Sequence, residues 1–578
     1  MRTYWAYALV AGLFTGGVSA GNAAERLTIP QIQGETHTSP YVRTSVIFEG
    51  VVTHIFGNNF LVRDEAGDGN DKTSDSMLVR RKADGLAVGD RVRVEGVVRE
   101  NNEQDEPRTI TDINDAVFEK LASGSPLTPV IIGAGGRLPP TDLLYIAEDS
   151  ADPANSGADF YESLESTYVR IANPVVVGPT NEFGEFWVVA EQGSGATGMN
   201  SLGGITATPG DGNPERIQIQ VTNAQAPQFQ LAVGDTFTSI EGYVAYDRGL
   251  YEVRLVNAGG AAPKEWDAEP VGAPPADDVL TIAGYNVENL DPIVERVERT
   301  PVDDPDDDAD KFTAIADHVV RLLGSPDVLA LQEVQDNDGG EYSDVVAADK
   351  TLGMLIEAIV TAGGPRYEAL SIDPEDDTSG GQPGGNIRVA YLFNPARVTA
   401  DTAGLEEIEA PAFGRSRLPL VARFQFDGRE VLMVNVHLSA KSASGSAYGI
   451  VQPPTDPIEP ARIGQVRAVR DYVRALPEDD ERTVVILGDF NAFWYETPLL
   501  LLTGGHPAFR NLALDEPAEE RISYVFDGNS QSLDHLLVML GEGQTASMQT
   551  LHVNSIQPDS RQVSDHDPKL LRVVFPDL

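Results

Sequence analysis

The spacing of apolar residues changes along the chain and divides it into regions of different predicted structure. Between residues 30 and 115, apolar and polar positions alternate over short stretches that glycine and aspartate interrupt. The clearest stretches are residues 45–53, 60–63, 76–79 and 91–98. Alternation with a period of two predicts half-buried strands, and several short strands in succession are typical of a small β-barrel or sandwich.

This β-rich unit recurs later in the chain. Leu86-Ala-Val-Gly-Asp90 is repeated as Leu231-Ala-Val-Gly-Asp235, and each copy precedes a strand that contains Glu-Gly. Other short matches follow in the same order, so we favour a duplicated module over a chance match. The glycine-rich segment 193–213 lengthens the second copy. The sequence thus predicts two small all-β, OB-like barrel modules over residues 25–125 and 126–260.

The loop 64–75 of the first module carries many oxygen-bearing side chains spaced around glycines. Such a loop suits Ca²⁺, which takes oxygen ligands, although the spacing differs from that of a helix–loop–helix calcium site. Two interpretations stay open: an additional structural Ca²⁺ site, or a solvated hairpin loop.

After an Ala-, Pro- and Gly-rich linker at residues 261–278, apolar strands begin to alternate with helical patterns. Residues 311–323, 351–362 and 461–476 carry apolar side chains at helical spacing. Alternation of strands and helices over this length predicts a single large α/β domain, residues 279–578.

Residues 1–24 combine an early arginine, an apolar run and small residues, which is the pattern of a secretory signal peptide. A buried N-terminal helix is the alternative. No other apolar run approaches the roughly 20 residues of a transmembrane helix, so we predict no transmembrane segment. We therefore expect a secreted protein, extracellular or periplasmic. Because the chain has no cysteine, we expect its stability to come from core burial and bound cations.

The charge balance bears on the substrate. The chain has 42 Lys and Arg against 89 Asp and Glu, a formal net charge of −47. Such a charge repels nucleic acid and anionic membranes, although salt screens the repulsion beyond about 10 Å. A cleft that carries positive charge or a metal ion overrides it locally. The charge is equally that of a protein from a salty habitat, so it weighs only mildly against a polyanionic substrate.

Polar residues stand at the ends of apolar runs throughout the C-terminal region. They occur in Asn286-Val-Glu-Asn289, Leu331-Gln-Glu-Val334, Gly488-Asp-Phe-Asn491 and Ser564-Asp-His-Asp567. Strand ends that gather at one edge of a sheet are where a fold brings oxygen ligands and a histidine together. We interpret the four segments as one hydrolytic site for a hard metal ion. Taken alone, Glu333 is better explained as a solvent-facing acid at a strand end.

Asp489 and Asn491 follow the apolar strand 483–487, and Gly488 allows a tight turn there. Being two residues apart, their side chains point the same way. The aspartate is suited to orient and deprotonate a water, and the asparagine to donate to a phosphate oxygen. Asp-x-Asn after a strand is also ordinary turn chemistry, and that interpretation stays open.

Two of the eight histidines, His437 and His566, stand where an apolar strand meets a polar loop beside carboxylates. A neighbouring carboxylate keeps an imidazole useful as an acid or a base. Asp534 is the candidate partner for such a histidine. His535, the next residue, is expected to point to the opposite face of that strand and is left out of the site.

In chain order these segments read Asn-x-Glu-Asn, Leu-Gln-Glu, Asn-x-His, Gly-Asp-Phe-Asn, Leu-Asp-His and Ser-Asp-His-Asp-Pro. The series resembles the endonuclease/exonuclease/phosphatase superfamily over residues 279–578. This resemblance implies the deoxyribonuclease I-like fold, a four-layer αββα sandwich. The likeness is closer to large secreted bacterial extracellular nucleases, in which OB-like modules precede the catalytic domain. Residues 385–389, residues 448–454, and Arg462 with Gln465 add to it.

The resemblance also implies roles for single residues. The positions that match metal ligands are Asn286, Glu333 and Asp565. The positions that match catalytic residues are His437, Asp489, Asn491, Asp534 and His566. Those that match phosphate contacts are Asn491 and Arg388.

The implied cofactor is Mg²⁺, with Mn²⁺ or Ca²⁺ as alternatives, because oxygen ligands without cysteine favour hard ions. The implied reaction is metal-dependent phosphodiester hydrolysis of extracellular DNA, and secondarily RNA, by in-line attack of water. No obligate protein partner is indicated.

Two departures from these nucleases leave the substrate open. After His437 the chain has Leu438-Ser-Ala-Lys441, where the nucleases carry phenylalanine and basic residues, and its negative charge is extreme for DNA binding. A lipid phosphodiesterase or phosphatase of the same fold, such as a sphingomyelinase, is one alternative. A non-catalytic matrix-binding protein is another.

The β-modules offer a second contact with nucleic acid if their aromatic residues are exposed. Candidates are Phe56, Phe60, Trp187 and Tyr246. Exposed rings in small barrels stack on the bases of single strands. Packing of the same rings in the barrel cores is the alternative interpretation.

Overall fold

In a computed structural model, the described residues are 24–101, 108–147, 150–266, 276–293, 308–382, 384–442, 447–449, 451–452, 454–477, 482–505 and 508–576. The predicted signal peptide, residues 1–24, lies outside them except for its last residue, and so does the middle of the predicted linker 261–278. Within these ranges, every helix is too short or too polar to cross a membrane.

The first β-region follows the alternating pattern of the sequence. Its elements are β1 (Glu25–Arg26), α1 (Ile29–Gln33), β2 (Ser45–Phe56), β3 (Asn59–Arg63), β4 (Ser76–Val79), β5 (Arg91–Asn101) and β6 (Ile110–Ala122). Strand β2 pairs with β3 on one side and with β5 on the other. Strand β3 also pairs with β4, β4 pairs with β6, and β6 pairs with β5. All of these pairings are antiparallel except β4 with β6.

The second β-region has the same strand succession with two additions. Its elements are β7 (Val130–Ile132), α2 (Gly157–Glu162), β8 (Tyr168–Ala172), β9 (Val175–Gly178), β10 (Phe186–Val189), β11 (Ile205–Thr206), β12 (Ile217–Gln220), β13 (Ser239–Asp247) and β14 (Leu250–Gly259). The sheet order is β7-β8-β13-β14-β12-β10-β9, and β12 runs parallel to β14 as β4 does to β6.

The repeated pentapeptide has the same local structure in both regions. Ala87 N donates to the Asp90 carboxylate at 2.7 Å, and Ala232 N donates to the Asp235 carboxylate at 3.1 Å. The glycine before each aspartate donates at 2.8 Å to a backbone carbonyl of the neighbouring strand, β2 or β9. The repeat is therefore a structural turn in both regions.

The C-terminal region contains two large sheets. Its strands are β15 (Val279–Leu290), β16 (Val328–Val334), β17 (Glu368–Leu370), β18 (Arg388–Phe393), β19 (Thr399–Ala400), β20 (Glu406–Glu407), β21 (Leu420–Phe426), β22 (Arg429–His437), β23 (Thr483–Asp489), β24 (Arg510–Asn511), β25 (Tyr524–Phe526), β26 (Asn529–Gln531), β27 (Asp534–Met539), β28 (Thr545–Thr550) and β29 (Lys569–Val574). One sheet has the order β17-β18-β16-β15-β29-β28, and the other β19-β21-β22-β23-β27-β24.

Helices cover the outer face of each sheet. They are α3 (Asp308–Asp317), α4 (Asp349–Thr361), α5 (Glu459–Ala475) and α6 (Thr497–Thr503). Apolar residues of α3 and α4 share a core with β15 and β16, and those of α5 and α6 share one with β22 and β23. A third core, which includes Ile282 and Leu487, lies between the two sheets. The predicted four-layer αββα sandwich is confirmed.

A buried polar contact joins the two sheets. Gln332 Nε2 of β16 donates to Asn435 Oδ1 of β22 at 2.7 Å, and Asn435 Nδ2 donates to Leu331 O at 2.9 Å. Both side chains are fully buried. Because an unsatisfied amide in this core costs free energy, the contact favours one register of the sheets. Gln332 directly precedes Glu333, and Asn435 lies two residues before His437.

The second β-region packs against the C-terminal sandwich. Strand β11 pairs in parallel with β26, which forms a three-stranded sheet with β25. Val233 N donates to Ile556 O at 2.9 Å. Tyr448, from the loop after β22, is buried in the core of the second β-region with its ring 5.2 Å from that of Tyr251. The C-terminal region therefore completes part of the core of its neighbour.

The aromatic residues proposed to grip single strands are mostly buried. Phe60, Trp187 and Tyr246 are at most 6% exposed, and Phe56 stacks on Tyr243 of the second β-region. For these rings the core-packing interpretation is correct, because small β-regions need large apolar side chains to fill their cores.

The acidic loop 64–75 satisfies many of its own polar groups. Asp68 accepts from Asn70 N at 2.9 Å and from Thr73 Oγ1 at 3.0 Å, and Asp64 Oδ1 accepts from Ala66 N at 3.0 Å. These are the hydrogen bonds of a self-contained turn. The structural Ca²⁺ in this loop stays a prediction.

Candidate active site

Four strand ends from two different sheets meet at one edge of the sandwich. Asn286 lies in β15 and Glu333 in β16, both of one sheet, whereas His437 ends β22 and Asp489 ends β23 of the other. Strands β15 and β16 are parallel neighbours, and so are β22 and β23. Parallel neighbours end at the same edge, which explains why residues about 200 positions apart in sequence come together.

Glu333 is held by contacts on both carboxylate oxygens. Asn286 Nδ2 donates to Oε1 at 2.9 Å, and Asn289 N donates to Oε2 at 3.1 Å. The Asn286 amide also reaches Asp489 Oδ2 at 3.4 Å, while its oxygen accepts from Glu288 N at 3.0 Å. Glu333 has a φ of 61°, a left-handed conformation that is uncommon for a non-glycine residue. This conformation turns the end of the strand so that the carboxylate faces the site.

His437 faces two carboxylates from inside the protein. Its Nε2 lies 3.5 Å from Asp489 Oδ2 and 3.7 Å from Glu333 Oε1. Its Nδ1 is buried and has no hydrogen-bond partner among the described residues. Burial lowers the pKa of His437 well below its ordinary value, and the charges of Arg417 and His566 lower it further. The imidazole is therefore neutral at physiological pH.

Asp489 and Asn491 form a compact pair after β23. Asn491 N donates to Asp489 Oδ1 at 2.8 Å, and Asn491 Nδ2 donates to Oδ2 at 3.2 Å and to Leu438 O at 3.1 Å. Gly488 precedes them with a φ of 126°, and a Cβ at this position would collide with Val436 O. The glycine therefore allows β23 to lie close enough to β22 for Asp489 to reach His437.

His566 has the opposite electrostatic environment. Its Nδ1 lies 2.8 Å from Asp534 Oδ2, and its Nε2 lies 3.9 Å from both Asp489 Oδ2 and Asp565 Oδ1. Burial acts to lower the pKa of His566, but the charges of Asp534 and Asp565 outweigh it and raise the pKa well above its ordinary value. An imidazolium with an orienting carboxylate is suited to donate a proton.

The site suits a divalent cation. Glu333, His437 and Asp489 each offer a ligand atom, and these atoms lie within 4.8 Å of one another. Burial raises the pKa of Asp489 to about 7 and also raises the pKa of Asp565. The positive charge of His566 offsets the effect of burial on both carboxyl groups only in part, and a bound cation would supply more. The carboxylates of this group therefore fit a metal ion, with the His437 imidazole beside them.

The structure brings together eight of the nine residues singled out from the sequence, and Arg388 is the exception. Its guanidinium is buried, lies 2.6 Å from Asp373 Oδ1, and donates to the backbone carbonyls of Val346 and Asn386. These contacts are structural, because they tie three loops beside β18. His535 points away from the site, as expected, with Nε2 2.9 Å from Ala492 O.

Two residues of the site were missed from the sequence. Arg417 is buried, donates from Nη2 to Leu438 O at 3.0 Å, and its charge acts on Glu333, Asp489 and His437. The ring of Tyr524 lies 4.8 Å from that of His566. Neither follows an apolar strand, so the strand-end signal does not mark them. The paired arginines Arg415 and Arg417 in an acidic chain were the available hint.

Comparison with protein families agrees with this geometry. A model described as the endonuclease/exonuclease/phosphatase family matches residues 283–566. The match contains every residue of the site named above and all strands of the two sheets except β29 and the first residues of β15. A second model, described as a domain of unknown function (DUF8508), matches residues 131–264, which is the second β-region. No curated protein matches the chain.

Several solved structures resemble about half of the chain. A humanized TDP2 of D. rerio is 18% identical with a TM-score of 0.36, covering 52% of this chain and 100% of its own. D. rerio TDP2 complexed with a single-strand DNA product is 17% identical with a TM-score of 0.35 and the same coverage. The human Nocturnin catalytic domain with a bound sulfate anion is 15% identical with a TM-score of 0.35, covering 52% of this chain and 94% of its own.

Proposed function

Residues 283–566 form a domain of the endonuclease/exonuclease/phosphatase family, and we propose that the protein is a secreted, divalent-metal-dependent phosphodiesterase that hydrolyses extracellular nucleic acid, chiefly DNA. One observation carries the proposal. Two imidazoles flank the same buried carboxylate, with His437 Nε2 at 3.5 Å and His566 Nε2 at 3.9 Å from Asp489 Oδ2, and their surroundings lower the pKa of His437 and raise that of His566. An acid, a neutral donor and a carboxylate base within a few ångströms are what phosphodiester hydrolysis requires.

Glu333 and Asp489 would hold the cation, with Asn286 and Asp565 beside them. Mg²⁺ is the first candidate, and Mn²⁺ and Ca²⁺ are the alternatives, because carboxylate and amide oxygens suit hard ions. When bound, such an ion supplies Lewis-acid stabilisation of the charge that develops on the phosphate oxygens.

The side chains of the chain divide the remaining work. Asp489 orients a water for in-line attack and accepts its proton. Asn491 and the neutral His437 donate to the non-bridging phosphate oxygens. His566, oriented by Asp534, donates a proton to the leaving oxygen, since its raised pKa keeps it protonated. Arg417, and not Arg388, supplies a buried positive charge near the carboxylates of Glu333 and Asp489.

The two β-regions are proposed to be OB-like modules over residues 25–125 and 126–260. In the first, the neighbours of β2 are connected through β3–β4–β6–β5, which is the connectivity of a small five-stranded barrel. In the second, β8 and β9 together take the place of β2. Secretion is proposed from the sequence of residues 1–24 alone.

The proposal is tested with the purified full chain. Plasmid DNA, total RNA and sphingomyelin are incubated with it in Mg²⁺, with and without chelator. We expect DNA to be hydrolysed, and the activity to be lost in chelator and in Glu333→Gln. Asp515→Asn is the matched control, because this half-exposed carboxylate pairs with Arg510 on the surface. Hydrolysis of sphingomyelin alone would favour the lipid phosphodiesterase, and no hydrolysis of any of the three substrates would favour a binding protein.

A further inference from the structure

Two aromatic rings, those of Tyr524 and Phe526, lead from His566 to the protein surface. The ring of Tyr524 lies 4.8 Å from that of His566 and is tilted by 35°. The ring of Phe526 lies 6.5 Å from that of Tyr524, with an angle of only 11° between the planes. The two residues are two positions apart on β25, so both side chains project from the same face of the strand.

Exposure increases along this series. His566 is 5% exposed, Tyr524 is intermediate, and Phe526 is 54% exposed. Most large aromatic rings of the β-regions are buried, as described above. An exposed phenylalanine, stacked on a ring that itself touches the catalytic histidine, presents an apolar flat face beside the reacting groups. Such a face costs free energy in water unless a ligand covers it.

The strand that carries these rings is held rigidly. Asp527 and Gly528 both have positive φ values of 47° and 73° and form the tight turn between β25 and β26. A Cβ on Gly528 would lie 2.5 Å from the Cβ of Trp187, so the turn packs closely on the second β-region. Arg216 of the same region donates to Asp527 O. With β11 paired to β26, the second β-region fixes the position of Phe526.

We propose that Tyr524 and Phe526 form a stacking subsite for a nucleobase that flanks the bond to be cleaved in a single strand. This inference rests on the proposed nuclease function and makes it more specific. A base stacks on a ring through its π-face, which requires no positive charge. Stacking therefore lets a chain with a net charge of −47 bind a polyanion close to the site. Bases in a duplex are already stacked on each other, so the subsite favours single strands.

The test compares Phe526→Ala with the unchanged full chain on a short single-stranded oligodeoxynucleotide and on the duplex of the same sequence. We expect KM for the single strand to rise by about 5- to 100-fold, the range that one stacked base contributes. We expect kcat to stay within about twofold, because Phe526 touches no reacting group. Phe526→Trp should restore the low KM. Phe183→Ala is the matched control, because Phe183 is 59% exposed and belongs to a different hairpin.

A separate measurement distinguishes failure of the subsite from failure of the nuclease proposal. Binding of a fluorescent single-stranded oligonucleotide is measured by anisotropy in chelator, where no cleavage occurs. Weaker binding by Phe526→Ala, but not by Phe183→Ala, supports the subsite even if the chain hydrolyses no nucleic acid. An unchanged KM and unchanged binding in Phe526→Ala, or an equal loss in Phe183→Ala, would overturn the subsite while leaving any measured hydrolysis standing.

Discussion

The two histidines of the candidate site have opposite electrostatic environments. On one side, His437 ends a strand inside the sandwich, has no hydrogen-bond partner on Nδ1 among the described residues, and lies near the buried charge of Arg417. On the other side, His566 lies in a loop with Asp534 at 2.8 Å on Nδ1. Both imidazoles are buried, so burial alone does not decide their protonation. At His437 burial lowers the pKa and nearby positive charge lowers it further, whereas at His566 the neighbouring carboxylates outweigh burial and raise the pKa.

On this difference we base the proposal of separate roles for two residues of the same type. A neutral imidazole donates a hydrogen bond without exchanging a proton, whereas an imidazolium gives its proton away. Because their environments differ, one imidazole can donate a hydrogen bond and the other a proton in the same site at the same pH. Changes that remove or exchange these neighbours therefore test the roles directly.

Loss of the proton donor is expected to have the largest effect. His566→Ala should lower kcat/KM by about 10²–10⁴, as removal of a general acid does. His437→Ala should cost less, because it removes one of several donors to the phosphate. Rates on an oligonucleotide substrate in Mg²⁺ measure both. His54→Ala, a histidine of the first β-region packed against Tyr243, is the control and should keep full activity. Equal activity of His566→Ala and the unchanged chain would remove the acid role.

Removal of the orienting carboxylate is expected to have an intermediate effect with a distinct pH signature. In Asp534→Asn, the group that most strongly raises the pKa of His566 is lost, so that pKa falls. The protonated form then disappears at a lower pH, and the alkaline limb of kcat/KM should move to lower pH. The rate at the optimum should fall by up to about 10². An unshifted alkaline limb would contradict the assignment of His566 as the acid.

Exchange of Arg417 is expected to have the smallest effect. Arg417→Met removes a buried charge that lowers the pKa of His437, so this pKa should rise, whereas Arg417→Lys keeps the charge and should leave it low. Titration of the His437 ring by NMR measures the difference. The activity loss should stay within about tenfold, since an interaction on the order of 1 kcal/mol is removed. Identical titrations of the two variants would show that the charge of Arg417 does not act on His437.

The residues of the candidate site that lie at strand ends could be predicted from the sequence. His437, Asp489 and Asn491 each follow an apolar run, and a strand end is where a polar side chain leaves the core. Arg388 was implied by the family resemblance alone. It begins β18, and its guanidinium binds Asp373, a loop residue that no periodicity marks. Arg417 and Tyr524 lie in segments without a clear period.

The fold shows the same limit of sequence reasoning. Strand–helix alternation predicts the four layers, because each element needs one apolar face. The pairing of β11 with β26 joins segments more than 300 residues apart and depends on the packing of Trp187 against Gly528, which no local pattern reveals. For the same reason, the sequence leaves open whether Trp187 is exposed or packed in a core, and the structure shows that it is only 6% exposed.

The central claim is that carboxylates from two sheets form one cation site. The most direct test measures metal binding together with proton release. Because burial raises the pKa of Asp489 to about 7, a cation that binds there displaces a proton at slightly acidic pH. Calorimetric titration with Mn²⁺ in buffers of different ionisation enthalpy counts that proton. We predict a tight ion accompanied by proton release, with both lost in Glu333→Gln and retained in Asp515→Asn. Identical titrations of the unchanged chain and Glu333→Gln would contradict the account.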